Sequence, residues 1–229
     1  MTAEEGLIRA TVFGGPKSRL RSHVAPFHAG TLWIYHDPHR DSRKVSDFDV
    51  NSWRLGIREL WERAITAEAI TETILASHGG GENWVEALKL AENVLNALDE
   101  ADPVACSCIG TYFLWHWARI LGARPEFPIC SSCASETGDN GALWYSAREE
   151  ALLCEKCYQE KCFHGPNTAN SAFRLGPGAI NWLKAIETLP SDTSVSVNAD
   201  VDALGQARAF SRALLAAAIG RSLPTWDEM

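Results

Sequence analysis

Two Cys-x2-Cys pairs constrain the fold of this chain more than any other feature of its sequence. They are Cys130 with Cys133 and Cys154 with Cys157, and twenty residues separate the pairs. A tight turn carrying each pair presents two thiolates to one ion, and four such sulfurs satisfy the tetrahedral preference of zinc. The spacer is long enough for a β-hairpin between the pairs. The spacing therefore predicts a closed, structural Zn²⁺ site with these four cysteines as ligands.

Other uses of paired cysteines fit the sequence less well. A redox centre of thioredoxin type needs a Cys-x2-Cys that opens a helix in a βαβ unit, and we expect neither pair to have that setting. A zinc deaminase needs His-x-Glu upstream of Pro-Cys-x2-Cys. No histidine here is followed by x-Glu, and Ile129 lies between Pro128 and Cys130. Two alternatives stay open: the pairs could be free of metal, or Cys162 or His164 could replace one ligand.

The composition is that of a globular protein with enough apolar sequence for a core. The 229 residues are 46% hydrophobic and 22% charged. No apolar run approaches the roughly 18 residues of a membrane span, and the acidic start MTAEEGLIR does not resemble a signal peptide. We therefore expect a cytoplasmic protein, in which seven cysteines indicate thiols or metal ligands rather than disulfides. Cys106 and Cys108 are expected to be buried thiols.

Charge is distributed unevenly along the chain. The formal net charge is −8, which argues against a protein that binds nucleic acid over its whole surface. Residues 1–50, however, hold seven Lys/Arg against six Asp/Glu, and the remainder of the chain holds 14 against 23. Any surface that binds a polyanion is therefore expected in the first fifty residues.

Basic and aromatic residues alternate in this N-terminal part. In an extended segment, Lys17, Arg19 and Arg21 would lie on one side, because side chains alternate along a strand. We predict that these three residues contact DNA phosphates, together with Arg43 and Lys44. Bases would then stack on an aromatic ring, for which the candidates are Phe27, Trp33 and Tyr35. The alternative is a basic edge strand that only deters aggregation.

The hydrophobic period divides the chain near residue 51. Three segments (6–14, 23–36 and 43–50) are rich in β-branched and aromatic residues, which predicts a small antiparallel sheet or barrel with too few strands to close. Helical spacing begins at Ser52 and predicts a helix that ends at the glycine-rich stretch 78–83, followed by helices over 84–100, 103–122, 176–189 and 202–220. We divide the chain into a β domain over 1–50 and a helical domain over 51–229, with a cysteine module inserted at 124–164.

The sequence contains none of the common catalytic motifs. Gly-x-Ser-x-Gly and His-Glu-x2-His are absent, and HGGGEN at 78–83 lacks the Gly-Lys-Ser/Thr of a nucleotide-binding loop. We therefore expect a protein that is not an enzyme.

Several segments, taken in order, resemble the bacterial DNA repair and recombination mediator family RecO. The resemblance is carried by EEGLIRATVFGGPKSRL, FLWHWARILGARPEFPICSSC, the paired cysteines, FRLGPGAINWLKAI and IGRSLPTW, and it covers essentially the whole chain. It implies an α+β protein with an N-terminal OB-fold barrel, a helical domain and a zinc-ribbon-like insertion. Family members begin with about two further strands before the turn that Thr2–Leu7 matches, so the barrel is expected to be incomplete in this sequence.

The resemblance also implies a function and partners. RecO proteins bind single- and double-stranded DNA, anneal complementary strands, act with RecR, contact the acidic tail of the single-strand binding protein and help load RecA onto gapped DNA near the nucleoid. Arg119 and Arg124 are candidates for contact with the acidic tail, although cations at a helix C-terminus also stabilise the helix itself. Family helices often carry Arg where this chain has His116. An alternative function is a zinc-ribbon adaptor that binds only proteins.

Overall fold

The computed structural model describes residues 1–14, 18–138, 141–164, 172–193, 197 and 200–229, without the side chains of 162–164. The described residues form an α+β structure with two small sheets and seven α-helices. In chain order the elements are β1 (Thr11–Val12), α1 (Arg19–His23), β2 (Ala29–Asp37), β3 (Ser42–Ser52), α2 (Trp61–Ala76), α3 (Trp84–Glu100), α4 (Pro103–Ile120), β4 (Leu143–Ser146), β5 (Ala151–Cys154), α5 (Glu155–His164), β6 (Ala172–Leu175), α6 (Pro177–Ile186) and α7 (Val201–Ile219).

The N-terminal sheet has the strand order β1-β3-β2. Strands β2 and β3 form an antiparallel hairpin, and β1 pairs with β3 in parallel over two residues. The prediction of an all-antiparallel sheet is thus wrong for β1, and the predicted strand over 6–14 is much shorter. Among the described residues the outer edges of β1 and β2 have no strand partner, so the three strands form an open sheet and not a closed barrel.

The segment expected to be extended around Arg19 and Arg21 is instead the short helix α1. Leu20 and Val24, four residues apart, are both half-buried, and α1 packs against β3. The apolar residues of this segment follow helical spacing, and the segment is helical although its cations alternate as in a strand.

Helix α4 is the centre of the helical domain. It packs against α2, α3 and α7, and its side chains are buried around the whole circumference, including Trp115 and Trp117. Pro103 occupies the first turn, and the side chain of Asp102 caps the helix by accepting from the backbone N–H of Ala105 at 2.8 Å. The helices predicted over 84–100, 103–122, 176–189 and 202–220 are found within a few residues of their expected ends, whereas α2 begins at Trp61 and not near Ser52 as expected. Among the described residues, no helix is long and apolar enough to cross a membrane.

A buried arginine joins the N-terminal region to the helical domain. Arg54 is 6% exposed, and its guanidinium donates to the carbonyl oxygen of Phe27 at 2.8 Å and to Oδ1 of Asn96 on α3 at 2.7 Å. Arg58 adds a hydrogen bond to the carbonyl oxygen of Pro26 at 3.1 Å. Backbone carbonyls of the segment before β2 are thereby attached to the helices by charge-assisted hydrogen bonds.

The second sheet has the strand order β5-β4-β6 and belongs to the same core as the helices. Leu143, Tyr145, Leu152 and Leu175 are buried in the cluster that contains the α4 tryptophans. Its third strand, β6, lies beyond residue 164, where the predicted insertion ends. The cysteine module therefore shares a sheet and a core with the helical domain, and it has more regular structure than the loop-rich segment we expected.

Candidate metal centre and candidate nucleic-acid interface

The four cysteines of the two pairs form one cluster. All four Sγ atoms of Cys130, Cys133, Cys154 and Cys157 lie within 4.8 Å of one another, and Cys133 and Cys154 are 3.8 Å apart. Four sulfurs at the usual Zn–S distance of about 2.3 Å in a tetrahedron are about 3.8 Å from each other. The cluster thus has the donor set and nearly the size of a tetrahedral zinc site, and four thiolates would leave no open position on the metal.

The first pair lies on a tight turn closed by backbone hydrogen bonds. The N–H of Cys130 donates to the carbonyl of Ser135 at 2.9 Å, and the N–H of Ala134 donates back to the carbonyl of Cys130 at 2.9 Å. Ala134 takes a positive φ of 57° so that the chain can reverse. Both sulfurs of the pair are thereby brought to the same side of the turn as the second pair.

The second pair lies at the junction of a strand and a helix. Cys154 ends β5 and Cys157 falls in the first turn of α5. Because β5 and β6 both run antiparallel to β4, they are parallel to each other with α5 between them in sequence. The expectation that neither pair opens a helix in a βαβ unit is therefore wrong for this pair. Because two further cysteines lie beside this pair, a metal site with four ligands is nevertheless favoured over a two-cysteine redox centre.

One residue ties the first turn to the hairpin. The N–H of Ser131 donates to the carbonyl of Leu152 at 2.7 Å, and the Ser131 hydroxyl accepts from the N–H of Leu152 at 3.1 Å. The twenty-residue spacer returns as the β4–β5 hairpin, as the spacing predicted. The alternative ligands Cys162 and His164 lie outside the described side chains.

The thiols of the cluster differ from one another in acidity. The hydroxyl of Ser135, 3.0 Å from Sγ of Cys133, lowers the pKa of this exposed thiol to about 6. Hydrogen bonds with Cys133 and Cys154 raise the pKa of Cys157, because a second thiolate is disfavoured beside the first. Burial raises the pKa of Cys106 to about 11 and also raises that of Cys108. The expectation of buried thiols at these two positions is confirmed.

One face of the N-terminal sheet is exposed and aromatic. In the β2–β3 register, Trp33 lies opposite Asp47 and Tyr35 opposite Lys44, while the other face carries the buried Phe48 and Val45. Trp33 is 48% exposed and Tyr35 is 59% exposed. Phe13, 60% exposed, follows β1, and Nζ of Lys44 lies 5.1 Å from the centre of its ring. We call Phe13, Trp33, Tyr35 and Lys44 the aromatic face.

The sequence indicated two of these three rings and missed the third. Phe13 could have been found from the alternation of Thr11, Val12 and Phe13 in a strand whose second residue faces the core. Phe27, by contrast, is half-buried against the helical core and takes a φ of 71°, so it is not part of the aromatic face.

The predicted phosphate-contacting residues are dispersed in the structure. Lys44 lies on the aromatic face, whereas the neighbouring Arg43 lies on the other face and pairs with Glu5 at 2.6 Å. Arg19 and Arg21 are exposed on α1, where residues two apart point in nearly opposite directions, so the expectation of one shared side is wrong. Lys17 lies outside the described residues.

The two arginines proposed for an acidic peptide tail have partners inside the chain. Arg119 forms a surface ion pair with Glu86. Arg124 is 16% exposed, donates to Glu187 at 2.6 Å, and stacks on Trp115. Burial opposes ionisation of Glu187, but the hydrogen bond and charge of Arg124 outweigh it and lower the carboxyl pKa. The guanidinium of Arg124 is therefore occupied by contacts inside the chain.

His116 is buried beside this pair. Its Nε2 lies 3.1 Å from the carbonyl oxygen of Ile186, and its ring packs on Tyr112 with centroids 4.2 Å apart. Burial lowers the pKa of His116, and the hydrogen bond to Ile186 only partly opposes this effect. The position is thus filled by a neutral ring, and its contacts are those of a core residue.

Comparison with known proteins identifies the helical part of the chain. The family model described as "Recombination protein O C terminal" matches residues 58–227, which is about three quarters of the sequence. The match begins just before α2, and it includes the four-cysteine cluster and the helical core. A search of curated proteins found no match. Because the family model covers well over half of the residues, this chain belongs to the recombination protein O (RecO) family.

Proposed function

We propose that this protein is a RecO-type recombination mediator that binds DNA without acting on it as an enzyme. The proposal combines the family match over residues 58–227 with the exposed aromatic face of the N-terminal sheet. The aromatic face is the observation that carries the DNA-binding part of the proposal. Three exposed rings beside a lysine suit single strands, because bases stack on aromatic side chains and a cation contacts the phosphates.

The positions of the charged residues favour DNA contact over a limited part of the N-terminal region. Lys44 lies on the aromatic face, and Arg19 and Arg21 are exposed on the adjacent helix α1. Asp47 and Asp49 lie opposite Trp33 and Thr31 on the same face and would repel phosphates there. We therefore propose that the DNA backbone runs past Lys44 and α1, while Arg43 serves mainly to pair with Glu5. Lys17 stays a candidate from the sequence alone.

The four-cysteine cluster supports this function structurally. A zinc ion bound by Cys130, Cys133, Cys154 and Cys157 would hold the turn of the first pair against the start of α5, and zinc would supply folding free energy there. RecR, the tail of the single-strand binding protein and, indirectly, RecA are the partners that we propose from the family. Arg119, whose ion pair is exposed, is a better candidate for the acidic tail than the buried Arg124.

Strand annealing with matched variants tests this proposal. We expect Trp33→Ala with Tyr35→Ala to reduce single-strand binding and annealing about tenfold or more, since each stacked base contributes about 1–3 kcal/mol. The control is Trp61→Ala, because Trp61 is 67% exposed and belongs to α2 and not to the sheet. Equal annealing by the double variant and the wild type would contradict the DNA-binding face. A complete lack of annealing and DNA binding in the wild type would favour the alternative of an adaptor that binds only proteins.

A further inference from the structure

A groove on the helical domain lies apart from both candidate sites. It has a volume of about 650 Å³, and it runs between the C-terminal half of α3, the first turns of α4 and residues 190–192. Its α3 wall carries residues at positions i, i+3, i+4 and i+7, which lie on one side of a helix. The wall consists of Asn93, Asn96, Ala97 and Glu100.

The floor of the groove is apolar and lined by small residues. Its apolar lining residues are Ala97, Ala101, Ala105 and the buried Ile109. Because alanine side chains are short, they leave room for the extended aliphatic part of a lysine or arginine side chain. The groove could thus accept a long unbranched side chain more readily than a bulky aromatic one.

The rim of the groove is negatively charged. Glu100, Asp102 and Asp192 line it, and none of these carboxylates has a cation within 4 Å among the described residues. Glu68 and Glu82 likewise have no ion pair among the described residues, so what distinguishes the rim is that its carboxylates surround a groove. Within the described part of the chain, no ion pair neutralises the rim, and Glu100 and Asp192 remain available to a ligand, whereas Asp102 caps α4.

The shape and charge together restrict the ligand. Nucleic acid is excluded because its phosphates would be repelled by the rim. A single metal ion is a poor fit as well, because the close grouping of metal-ligating side chains among the described residues is the four-cysteine cluster and does not include these carboxylates. A ligand with spaced positive charges on long apolar stems matches both the alanine floor and the separated carboxylates.

We propose that this groove is a docking site for a basic peptide segment of a partner protein. An arginine or lysine stem lies along Ala97 and Ala101, and its charged end reaches Glu100 or Asp192. Oδ1 of Asn96 already accepts from Arg54, so the amide group of Asn96 keeps its N–H donors for a peptide carbonyl. This site is independent of the DNA-binding proposal, because none of its residues belongs to the aromatic face or to the cysteine cluster.

Peptide binding by fluorescence anisotropy tests the proposal. The probe is a fluorescein-labelled peptide, Gly-Arg-Ala-Gly-Arg-Ala-Gly-Arg-Gly, in about 50 mM salt, and its control has citrulline in place of every arginine. We expect Glu100→Gln with Asp192→Asn to weaken binding about tenfold, since two exposed charge pairs are lost together. The matched double variant is Glu68→Gln with Glu82→Gln, which removes the same charge from exposed positions outside the groove and should change binding less than twofold.

A variant of the floor separates docking from general charge attraction. Ala97→Leu keeps every charge but narrows the channel, and we expect it to weaken the arginine peptide about threefold or more. Thermal unfolding of each variant checks that the fold is retained. We expect it to be, because the changed residues are exposed or half-buried. The proposal is overturned if the two double variants weaken binding equally, if the citrulline peptide binds as tightly, or if Ala97→Leu binds like the wild type.

Discussion

The guanidinium of Arg124 lies 4.3 Å from the centre of the indole ring of Trp115. The same guanidinium donates to Glu187 at 2.6 Å, and the indole N–H of Trp115 donates to the other carboxylate oxygen at 3.0 Å. Glu187 is thus shared between an arginine and the tryptophan on which that arginine stacks. The three side chains attach the residues that follow α4 to the end of α6.

Replacing Arg124 with lysine should destabilise the helical domain. Lysine keeps the charge but cannot both stack flat on Trp115 and donate in the same geometry. Glu187 is 37% exposed, so solvent screens the pair, and we expect a loss of about 1–2 kcal/mol in the free energy of unfolding, less than the cost of breaking a fully buried pair. Urea unfolding measures the change. Arg119→Lys, at the exposed pair with Glu86, should change it by less than about 0.5 kcal/mol, and an equal effect of both variants would contradict this interpretation.

Stability should fall as the pH drops from 7 toward 5. Burial lowers the pKa of His116 in the folded state below its ordinary value of 6.5, so the unfolded chain binds a proton that the folded chain does not. The stabilisation is complete above the unfolded pKa and is lost as pH falls toward the folded one. We expect His116→Gln, which has no titrating ring, to flatten the pH dependence of the melting temperature in this window. A profile as steep as that of the wild type would show that another group is responsible.

The cysteine cluster should bind one zinc ion per chain. Cys133→Ser and Cys154→Ser should each lower the zinc content measured by mass spectrometry and lower the melting temperature, because metal binding contributes folding free energy. Cys108→Ala is the control, since this buried thiol lies on α4 outside the cluster. Full zinc content in both cluster variants would show that other residues ligate the metal.

Lys44 should contribute one phosphate contact on the aromatic face. Lys44→Gln is expected to reduce the slope of log Kd against log salt concentration by about 0.7 for single strands, with little dependence on base sequence. Lys89→Gln serves as the control, because Lys89 is exposed on α3 and has no ion pair among the described residues. Equal slopes for Lys44→Gln and the wild type would remove Lys44 from the DNA path.

A methyl group at Gly56 should loosen the joint between the two parts of the chain. A Cβ atom there would lie 2.1 Å from the carbonyl oxygen of Asp99, a backbone atom that also accepts from Arg63 at 2.8 Å. We expect Gly56→Ala to cost about 1–3 kcal/mol in the free energy of unfolding. The control is Gly220→Asn, at the C-cap of α7 in the left-handed region (φ 81°, ψ 5°) and in open space, where asparagine is tolerated. Unchanged stability of Gly56→Ala would show that the backbone can move apart at low cost.

The local pattern of the sequence was sufficient for the long helices that follow α2 outside the cysteine module, and for the cysteine cluster. Helical spacing of apolar residues, Asp102 with Pro103 at a helix start and the spacing of four cysteines are each short-range signals, and the structure has the helices and the cluster where they predict them. Their physical basis is local as well: a cap satisfies its own first turn, and a Cys-x2-Cys turn orients its own two sulfurs.

Tertiary contacts decided what those patterns could not. The cations at 19 and 21 alternate as in a strand, but the segment is the helix α1, which packs against β3 and places His23 3.1 Å from the carbonyl oxygen of Phe48. From the sequence, Arg124 and His116 could both have served at the surface. In the structure, Arg124 pairs with Glu187 and His116 contacts the carbonyl oxygen of Ile186, both at the end of α6. The aromatic face and the groove likewise depend on strand register and on residues about ninety positions apart. The sequence alone determined most of the long helices and the cysteine cluster, because their causes are local. Only the tertiary structure determined which side chains remain available for a partner, because burial depends on elements that are distant in sequence.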